Sequence, residues 1–343
     1  MVFTTPAVRA IRERFADAYL TYVVEPHAAP VVTGNPHLDE VIVVSRSRGI
    51  SGLVADVALG RRLRRARFDL TIDFHGGPHA ALLTWLSGSP VRIGYDTPGR
   101  GWMYTTRVPR PRGIRPRHAV ENQWDLLAPL GFDAADPATQ PVEMATDTEA
   151  LSAVDLRLSA AGITPDAPLV VIHLSAGNPF RRWPIEAFAT VMAMLVLRDA
   201  RRRVIITAGP SDRTAASNAM AQARALLEPA EAGRLVSMDE LSLAELRALM
   251  DRAALFIGGD SGPLHVAATS TVPIVGLYGP TLPVRSQPWR SRELISEAVG
   301  VEGLPCRPCD QRRCIPGDFR CLTTLRPELV LETAERILQQ GLR

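Results

Sequence analysis

The chain has no lysine: all 39 residues of the lysine-plus-arginine class are arginine, in a chain of 343 residues. A GC-rich coding sequence is the simplest explanation of this bias. Its chemical consequence is that any phosphate bound by the protein must meet guanidinium groups, and that no lysine can act as a base or form a Schiff base. The formal net charge is only +3, which gives no reason to expect a nucleic-acid partner.

Long apolar runs are also absent. No stretch approaches the roughly 20 apolar residues that span a bilayer, and residues 1–6 lack the basic and apolar regions of a secretory signal. We therefore expect a cytoplasmic protein. Hydrophobic residues make up 46% and charged residues 22% of the chain, which is ordinary for a soluble globular protein, and 343 residues favour two domains over one.

Cysteine is confined to one short segment, at Cys306, Cys309, Cys314 and Cys321, and successive cysteines are separated by two, four and six residues. In a cytosolic protein, clustered cysteines favour a metal site or reduced thiols over disulfides. Four thiolates could hold a tetrahedral Zn²⁺ ion or an iron–sulfur cluster as a structural centre. Because the spacing is not that of a standard zinc ribbon, a metal, plain thiols and disulfides all stay open.

Apolar runs typical of strands alternate with amphipathic stretches typical of helices along the whole chain. This order predicts an α/β fold of two Rossmann-like domains, residues 1–150 and 151–343, facing a cleft. Residues 133–150 are rich in proline, aspartate, alanine and threonine and indicate a linker. The predicted strands are residues 19–24, 41–44, 68–74, 91–94, 169–174, 203–207, 235–237, 255–257 and 273–278; the predicted helices are residues 6–15, 52–67, 80–86, 118–130, 185–200, 211–227, 242–252 and 327–340.

The segment 255–268 is the most informative part of the sequence. A short apolar run ends in Gly258-Gly259 and is followed by Asp260, Ser261, Gly262 and, after two more residues, His265. This pattern predicts a buried strand, a tight turn and a helix that begins at Ser261 or Gly262. Such turns lie at the carboxyl edge of parallel sheets, where nucleotides and phosphates bind. The alternative is an ordinary strand-to-helix turn capped by Asp260 or Ser261.

Several motifs in this order resemble glycosyltransferase family 9, the bacterial lipopolysaccharide heptosyltransferases. Asp260-Ser261-Gly262-x-x-His265 followed by Gly279-Pro280-Thr281 is similar to the donor-site signature of that family. Further similarities cover nearly the whole chain, and they are Asp73-Phe74-His75-Gly76, Arg92-Ile93-Gly94-Tyr95, His173-x-Ser175, Arg181-Arg182-Trp183-Pro184, Gly209-Pro210-Ser211-Asp212 and the cysteine-rich segment.

The resemblance implies a GT-B fold and an inverting transfer of a heptose, or a related sugar, from a nucleotide sugar such as ADP-heptose to a lipid-linked saccharide acceptor. The donor would bind the C-terminal domain and the acceptor the N-terminal one, with no metal needed for transfer. Cations would then stabilise the diphosphate leaving group. The implied donor-binding residues are Ser175, Arg181, Arg182, Asp212, Asp260, Ser261, Gly262 and His265.

The start of the chain departs from the family pattern. In the family a first strand and a Gly-Asp pair precede the segment that resembles residues 2–7, so the aspartate expected as general base falls one residue before Met1. The catalytic residue of this sequence is therefore unassigned, and the first strand of the N-terminal sheet is expected to be missing, which leaves a gap beside residues 19–24. An upstream start is one explanation; the alternative is a pseudoenzyme that binds nucleotide sugar without transferring it.

The acceptor side is predicted from two features. Thr4 and Thr5 precede the first predicted helix, with Thr5 as its N-cap. The loop 99–117 is rich in arginine, and no acidic residue occurs between Asp96 and Glu121. We expect Arg110, Arg112 and Arg115 of this loop to contact the acidic acceptor at the inner-membrane surface, where the protein would be peripheral.

Overall fold

The computed structural model describes residues 1–45, 50–110, 116–174 and 178–340. The chain divides into two compact units. Unit 1 comprises Met1, Phe3–Val32 and Pro36–Asp136; unit 2 comprises Val2, Thr33–Asn35 and the chain from Pro137 onward. No helix in the described ranges is long and apolar enough to cross a membrane.

Unit 1 contains short parallel strands connected by helices. The strands are β1 (Thr21–Val24), β2 (Glu40–Val43), β3 (Leu70–Asp73), β4 (Val91–Asp96) and β5 (Thr106–Pro109). The α-helices are α1 (Thr5–Arg14), α2 (Ile50–Ala66), α3 (Pro78–Leu86) and α4 (Ala119–Trp124), with 3-10 turns at Val2–Thr4, Pro26–Val31, Gly101–Met103 and Ala128–Leu130. The N-cap of α1 is Thr4 and not Thr5, because Thr5 is already helical.

The strands of unit 1 form two separate sheets, β1-β2 and β3-β4-β5, in which every pairing is parallel. A cavity of about 600 Å³ within unit 1 is lined by all residues of β1 and β3 and by Met1. In the described residues, no strand lies between β1 and β3 to join the two sheets by hydrogen bonds. Among the described residues of unit 1, the predicted gap beside residues 19–24 is therefore present, at the place that the first strand of a doubly wound sheet takes between its second and fourth.

Unit 2 contains one six-stranded parallel sheet with the order β11-β10-β9-β6-β7-β8. Its strands are β6 (Leu169–Leu174), β7 (Arg203–Ala208), β8 (Leu235–Ser237), β9 (Leu255–Gly259), β10 (Ile274–Tyr278) and β11 (Ser296–Gly300). Its α-helices are α5 (Thr148–Ala160), α6 (Ile185–Arg198), α7 (Arg213–Arg224), α8 (Pro229–Ala232), α9 (Leu243–Met250), α10 (Gly262–Ala267), α11 (Pro283–Ser286), α12 (Arg320–Thr323) and α13 (Pro327–Gln340), and 3-10 turns lie at Pro179–Arg181 and Pro210–Asp212.

The core of unit 2 lies on the central strands. Every residue of β6, β9 and β10 is buried, which is expected of parallel strands covered on both faces. Local signals in the sequence set several boundaries: Ser242 accepts a hydrogen bond from the backbone N–H of Glu245 and completes the predicted capping box of α9. The last helix, α13, is held by the buried pair of Arg202 with Glu335.

Six of the described helices and strands escaped prediction: β5, β11, α5, α8, α11 and α12. Strand β5 lies in the arginine-rich loop, β11 has the alternating burial of an edge strand, and α5 begins within the last residues of the segment interpreted as a linker. Part of that segment also belongs to unit 2, because Val142 N donates to the carbonyl of Trp289 at 2.9 Å and Trp289 Nε1 donates to the carbonyl of Gln140 at 2.8 Å.

Candidate functional site

The strand order of unit 2 fixes where a ligand site is expected. Counted along the chain, the order is that of the doubly wound nucleotide-binding fold: the first strand β6 lies beside both the second, β7, and the fourth, β9. The chain segments that follow β6 and β9 lead to opposite sides of the sheet order. This divergence leaves a crevice at the carboxyl ends of the two strands. The register pairs His173 with Gly258 on one side and with Thr207 on the other.

Asp260 follows β9 directly and is the centre of a buried polar cluster. Its Oδ2 accepts a hydrogen bond from Thr281 Oγ1 at 2.6 Å, and its Oδ1 lies 3.6 Å from His265 Nε2. Burial would raise the pKa of Asp260, but hydrogen bonds from His265 and Thr281 and the charge of Arg181 outweigh it and hold the pKa below its ordinary value. Asp260 is therefore an ionised carboxylate at neutral pH.

Arg181 joins this cluster from the turn after β6. Its Nη1 donates to the backbone carbonyl of Asp260 at 2.7 Å and lies 3.4 Å from Oδ2 of the same residue. The side chain is 29% exposed, so the guanidinium remains accessible. An arginine that is hydrogen-bonded to the protein through one nitrogen and is still partly exposed to solvent is suited to binding phosphate oxygens.

Arg182 and Asp212 form a second ion pair among the predicted donor-site residues. Arg182 Nη2 lies 3.2 Å from Asp212 Oδ1, and Ser211 Oγ donates to Asp212 Oδ2 at 2.9 Å. Asp212 is buried, whereas the Arg182 side chain is about half exposed. The two predicted donor-site residues therefore contact each other, and the charge of Arg182 is partly neutralised.

His173 lies at the carboxyl end of β6 and is buried. Its Nδ1 is 2.9 Å from Thr207 Oγ1. Burial lowers the pKa of His173 to about 4, against a smaller opposing effect of Asp212. This imidazole is neutral at physiological pH and adds no cation to the site.

The remaining donor-site predictions have different outcomes. Helix α10 begins at Gly262, as predicted, and Ser261 is its N-cap without a side-chain capping bond; Ser261 Oγ donates to the carbonyl of Gly259 instead. Asp260 does not cap the helix either, since its carboxylate is engaged with Thr281, His265 and Arg181. Ser175 lies outside the described residues.

The predicted acceptor-side residues lie in unit 1. Thr4 and Thr5 are buried, and Thr4 Oγ1 contacts the carbonyl of Met1 and the hydroxyl of Tyr22, both at 2.7 Å. Arg110 is exposed and its guanidinium lies 5.8 Å from the ring centroid of Tyr95. Arg112 and Arg115 lie outside the described residues.

The structure does not support the predicted metal site. All four cysteines are free and partly buried, and in the described part of the chain no three His, Cys, Asp or Glu side chains are grouped so that they could hold a metal ion. Two of the sulfurs accept backbone hydrogen bonds instead: Cys309 from Gln311 N and Cys314 from Phe319 N, both at 3.4 Å.

Two contacts of the site were not predicted. Gln311 Oε1 accepts from Arg181 Nε at 2.9 Å, and Thr207 faces His173. Thr207 is the last residue of the predicted strand 203–207, so the sequence does indicate that Thr207 lies at the carboxyl end of a strand, as the site residues do. Gln311 carries no local signal, because its partner is 130 residues away.

Buried and half-buried charges at the switch point of a doubly wound parallel sheet are typical of α/β proteins that bind a nucleotide or another phosphorylated ligand. The chain matches the family model of glycosyltransferase family 9 (heptosyltransferase) over residues 57–318. It therefore belongs to glycosyltransferase family 9 and is a glycosyltransferase with the GT-B fold, as the sequence motifs predict.

Three similar proteins illustrate the relationship. Lipopolysaccharide heptosyltransferase 3 of Escherichia coli is 28% identical over 321 residues, which cover 91% of this chain and 89% of that protein. A glycosyltransferase of family 9 from Veillonella parvula superposes with a TM-score of 0.82 at 24% identity, covering 99% of this chain and 93% of the other. The E. coli heptosyltransferase WaaC with ADP superposes with a TM-score of 0.69 at 18% identity, covering 98% and 95%.

Proposed function

We propose that this chain transfers a heptose, or a closely related sugar, from ADP-heptose or a similar nucleotide sugar to a lipopolysaccharide core or similar glycolipid, with inversion at the anomeric carbon. The observation that carries the donor assignment is Arg181, held against Asp260 at the switch point of unit 2 and still accessible. The relatives support the sugar and the nucleotide: one is a lipopolysaccharide heptosyltransferase and another was solved with ADP.

The proposed chemistry is a single displacement. The acceptor hydroxyl oxygen forms a bond to the anomeric carbon while the bond from that carbon to the diphosphate oxygen breaks, and the hydroxyl proton passes to a base. Negative charge develops on the departing diphosphate, where the Arg181 guanidinium stabilises it. Because His173 is neutral, it does not share this role with Arg181. Asp260 is ionised and organises Arg181, Thr281 and His265 around the donor sugar.

The donor assignment is tested by replacing Arg181. A hydrogen bond to a charged group is worth roughly 1.5–3 kcal/mol, so Arg181→Ala should lower kcat/KM for the nucleotide sugar by about ten- to a hundredfold. Arg181→Lys should recover part of the loss, because it restores the charge without the planar fork. The assay is release of ADP from ADP-heptose with a lipid-core acceptor; unchanged kinetics for Arg181→Ala would contradict the proposal.

A second candidate function is a protein that binds nucleotide sugar without transferring it, because the described residues of unit 1 leave a gap between the sheets of β1 and β3. Parallel measurement of donor binding by calorimetry and of turnover separates the two: binding without any ADP release would establish the second and exclude the first.

We also propose that the arginine-rich loop 99–117 brings unit 1 to an anionic membrane surface, where the acceptor lies, as a peripheral contact. Arg110 is exposed in this loop. Charge reversal at Arg110, Arg112 and Arg115 together should weaken binding to vesicles that contain anionic lipid and raise the KM for acceptor. Vesicle binding and acceptor KM equal to those of the unaltered chain would contradict a role for the loop.

A further inference from the structure

The cysteine-rich segment, residues 306–321, reaches the candidate donor site through Gln311. Gln311 Oε1 accepts from Arg181 Nε at 2.9 Å and from Asn178 Nδ2 at 3.1 Å. Because both partners are donors, the amide oxygen and not the amide nitrogen must face them. Asn178 precedes the 3-10 turn Pro179–Arg181 and Arg181 is its last residue, so Gln311 contacts both ends of the turn that carries the arginine.

The backbone fixes the direction of the Gln311 side chain. Gln311 has a φ of 59°, a left-handed conformation that non-glycine residues rarely adopt. Its N–H donates to Cys309 Sγ at 3.4 Å, and the N–H of Cys309 donates to the carbonyl of Pro280 at 3.2 Å, just beyond β10. The strained residue is thus anchored to the sheet edge that also presents Thr281 to Asp260. Strained backbone held in this way is typical of positions with a functional task.

Gln311 also determines which part of the guanidinium remains available. Nε of Arg181 donates to Gln311 and Nη1 donates to the carbonyl of Asp260. Two donors on different edges of a planar group fix its orientation. Among the described residues, Nη2 has no hydrogen-bond partner, and the side chain is 29% exposed. The hydrogen bonds made by Nε and Nη1 therefore hold Nη2 in one fixed orientation.

We propose that Gln311 is a positioning residue for donor binding: it holds Arg181 so that Nη2 is directed at the diphosphate of the nucleotide sugar. This inference rests on the proposed function. Preorganisation of this kind saves the cost of ordering a long side chain when the ligand binds. The cysteine-rich segment acquires a role in substrate binding through this contact.

The test uses ADP as the probe, isothermal calorimetry and the full chain. Gln311→Gly removes the side chain and relieves the left-handed backbone, so its thermal stability should equal or exceed that of the unaltered chain. Its affinity for ADP should nevertheless fall by about tenfold, the scale of one hydrogen bond in binding. Gln311→Glu should also weaken ADP binding, because a carboxylate on Arg181 neutralises the cation needed by the diphosphate. Ile315→Gly, in the same segment with 87% exposure, is the matched control and should leave affinity unchanged.

A double-mutant comparison shows whether Gln311 acts through Arg181. In an Arg181→Ala background, Gln311→Gly should cause no further loss of ADP affinity and no further loss of kcat/KM for the donor, whereas in the unaltered background it should lower both. Full affinity of Gln311→Gly, or an equal additional loss in the Arg181→Ala background, would overturn the inference while leaving the proposed function intact. Failure of Arg181→Ala to weaken ADP binding, or absence of ADP binding by the unaltered chain, would overturn both.

Discussion

Acid should destabilise unit 2 through His173, and the size of the effect follows from its burial. The pKa of His173 is lowered from 6.5 to about 4 in the folded chain. Between these two values the unfolded chain binds a proton that the folded chain does not, so the stability present above pH 6.5 is lost progressively as the pH falls toward 4. Each pKa unit corresponds to about 1.36 kcal/mol, so this one histidine should cost about 3 kcal/mol of unfolding free energy over that range.

The measurement is urea unfolding of the unaltered chain and of His173→Gln at pH 7 and at pH 4.5. Glutamine can still hydrogen-bond Thr207 but does not titrate, so the variant should lose less stability on acidification than the unaltered chain, by about 2–3 kcal/mol. Other groups titrate in both proteins and cancel in the difference. His27→Gln is the matched control, because the side chain of His27 is 78% exposed. Equal acid sensitivity of the unaltered chain and His173→Gln would refute the reasoning.

Two further predictions concern stability. Glu335→Leu should destabilise unit 2 by about 3–5 kcal/mol in urea unfolding, since it leaves the buried Arg202 charge without its carboxylate partner, whereas Arg202→Met combined with Glu335→Leu should recover most of that loss; an additive double variant would contradict this account. A five-residue β-forming segment joined ahead of Met1 by a Gly-Asp turn should pair with β1 and β3, raise the melting temperature of unit 1 and reduce its cavity of about 600 Å³. The same segment with two prolines cannot complete the pairing, so an equal gain from both would show that the gap does not accept a strand.

Much of the fold follows from local sequence patterns. The continuous apolar runs of residues 169–174 and 255–257 are strands because both faces of a central parallel strand are covered, and Ser242 with Glu245 starts a helix through its own hydrogen bonds. Strands β5 and β11 were missed because they are short and lie at sheet edges, where half of the side chains face solvent and the apolar signal is weak.

The sequence by itself determined the alternation of strands and helices, the turn after β9 that places Asp260 at a sheet edge, and the restriction of phosphate-binding cations to arginine, because each depends on residues close together in the chain or on composition alone. Only the tertiary structure decided that Arg182 is paired with Asp212, that Arg181 is held by Gln311 and that His173 is neutral. These properties arise from burial and from contacts between residues far apart in the chain. Their energies depend on distance and dielectric environment, which no local pattern encodes.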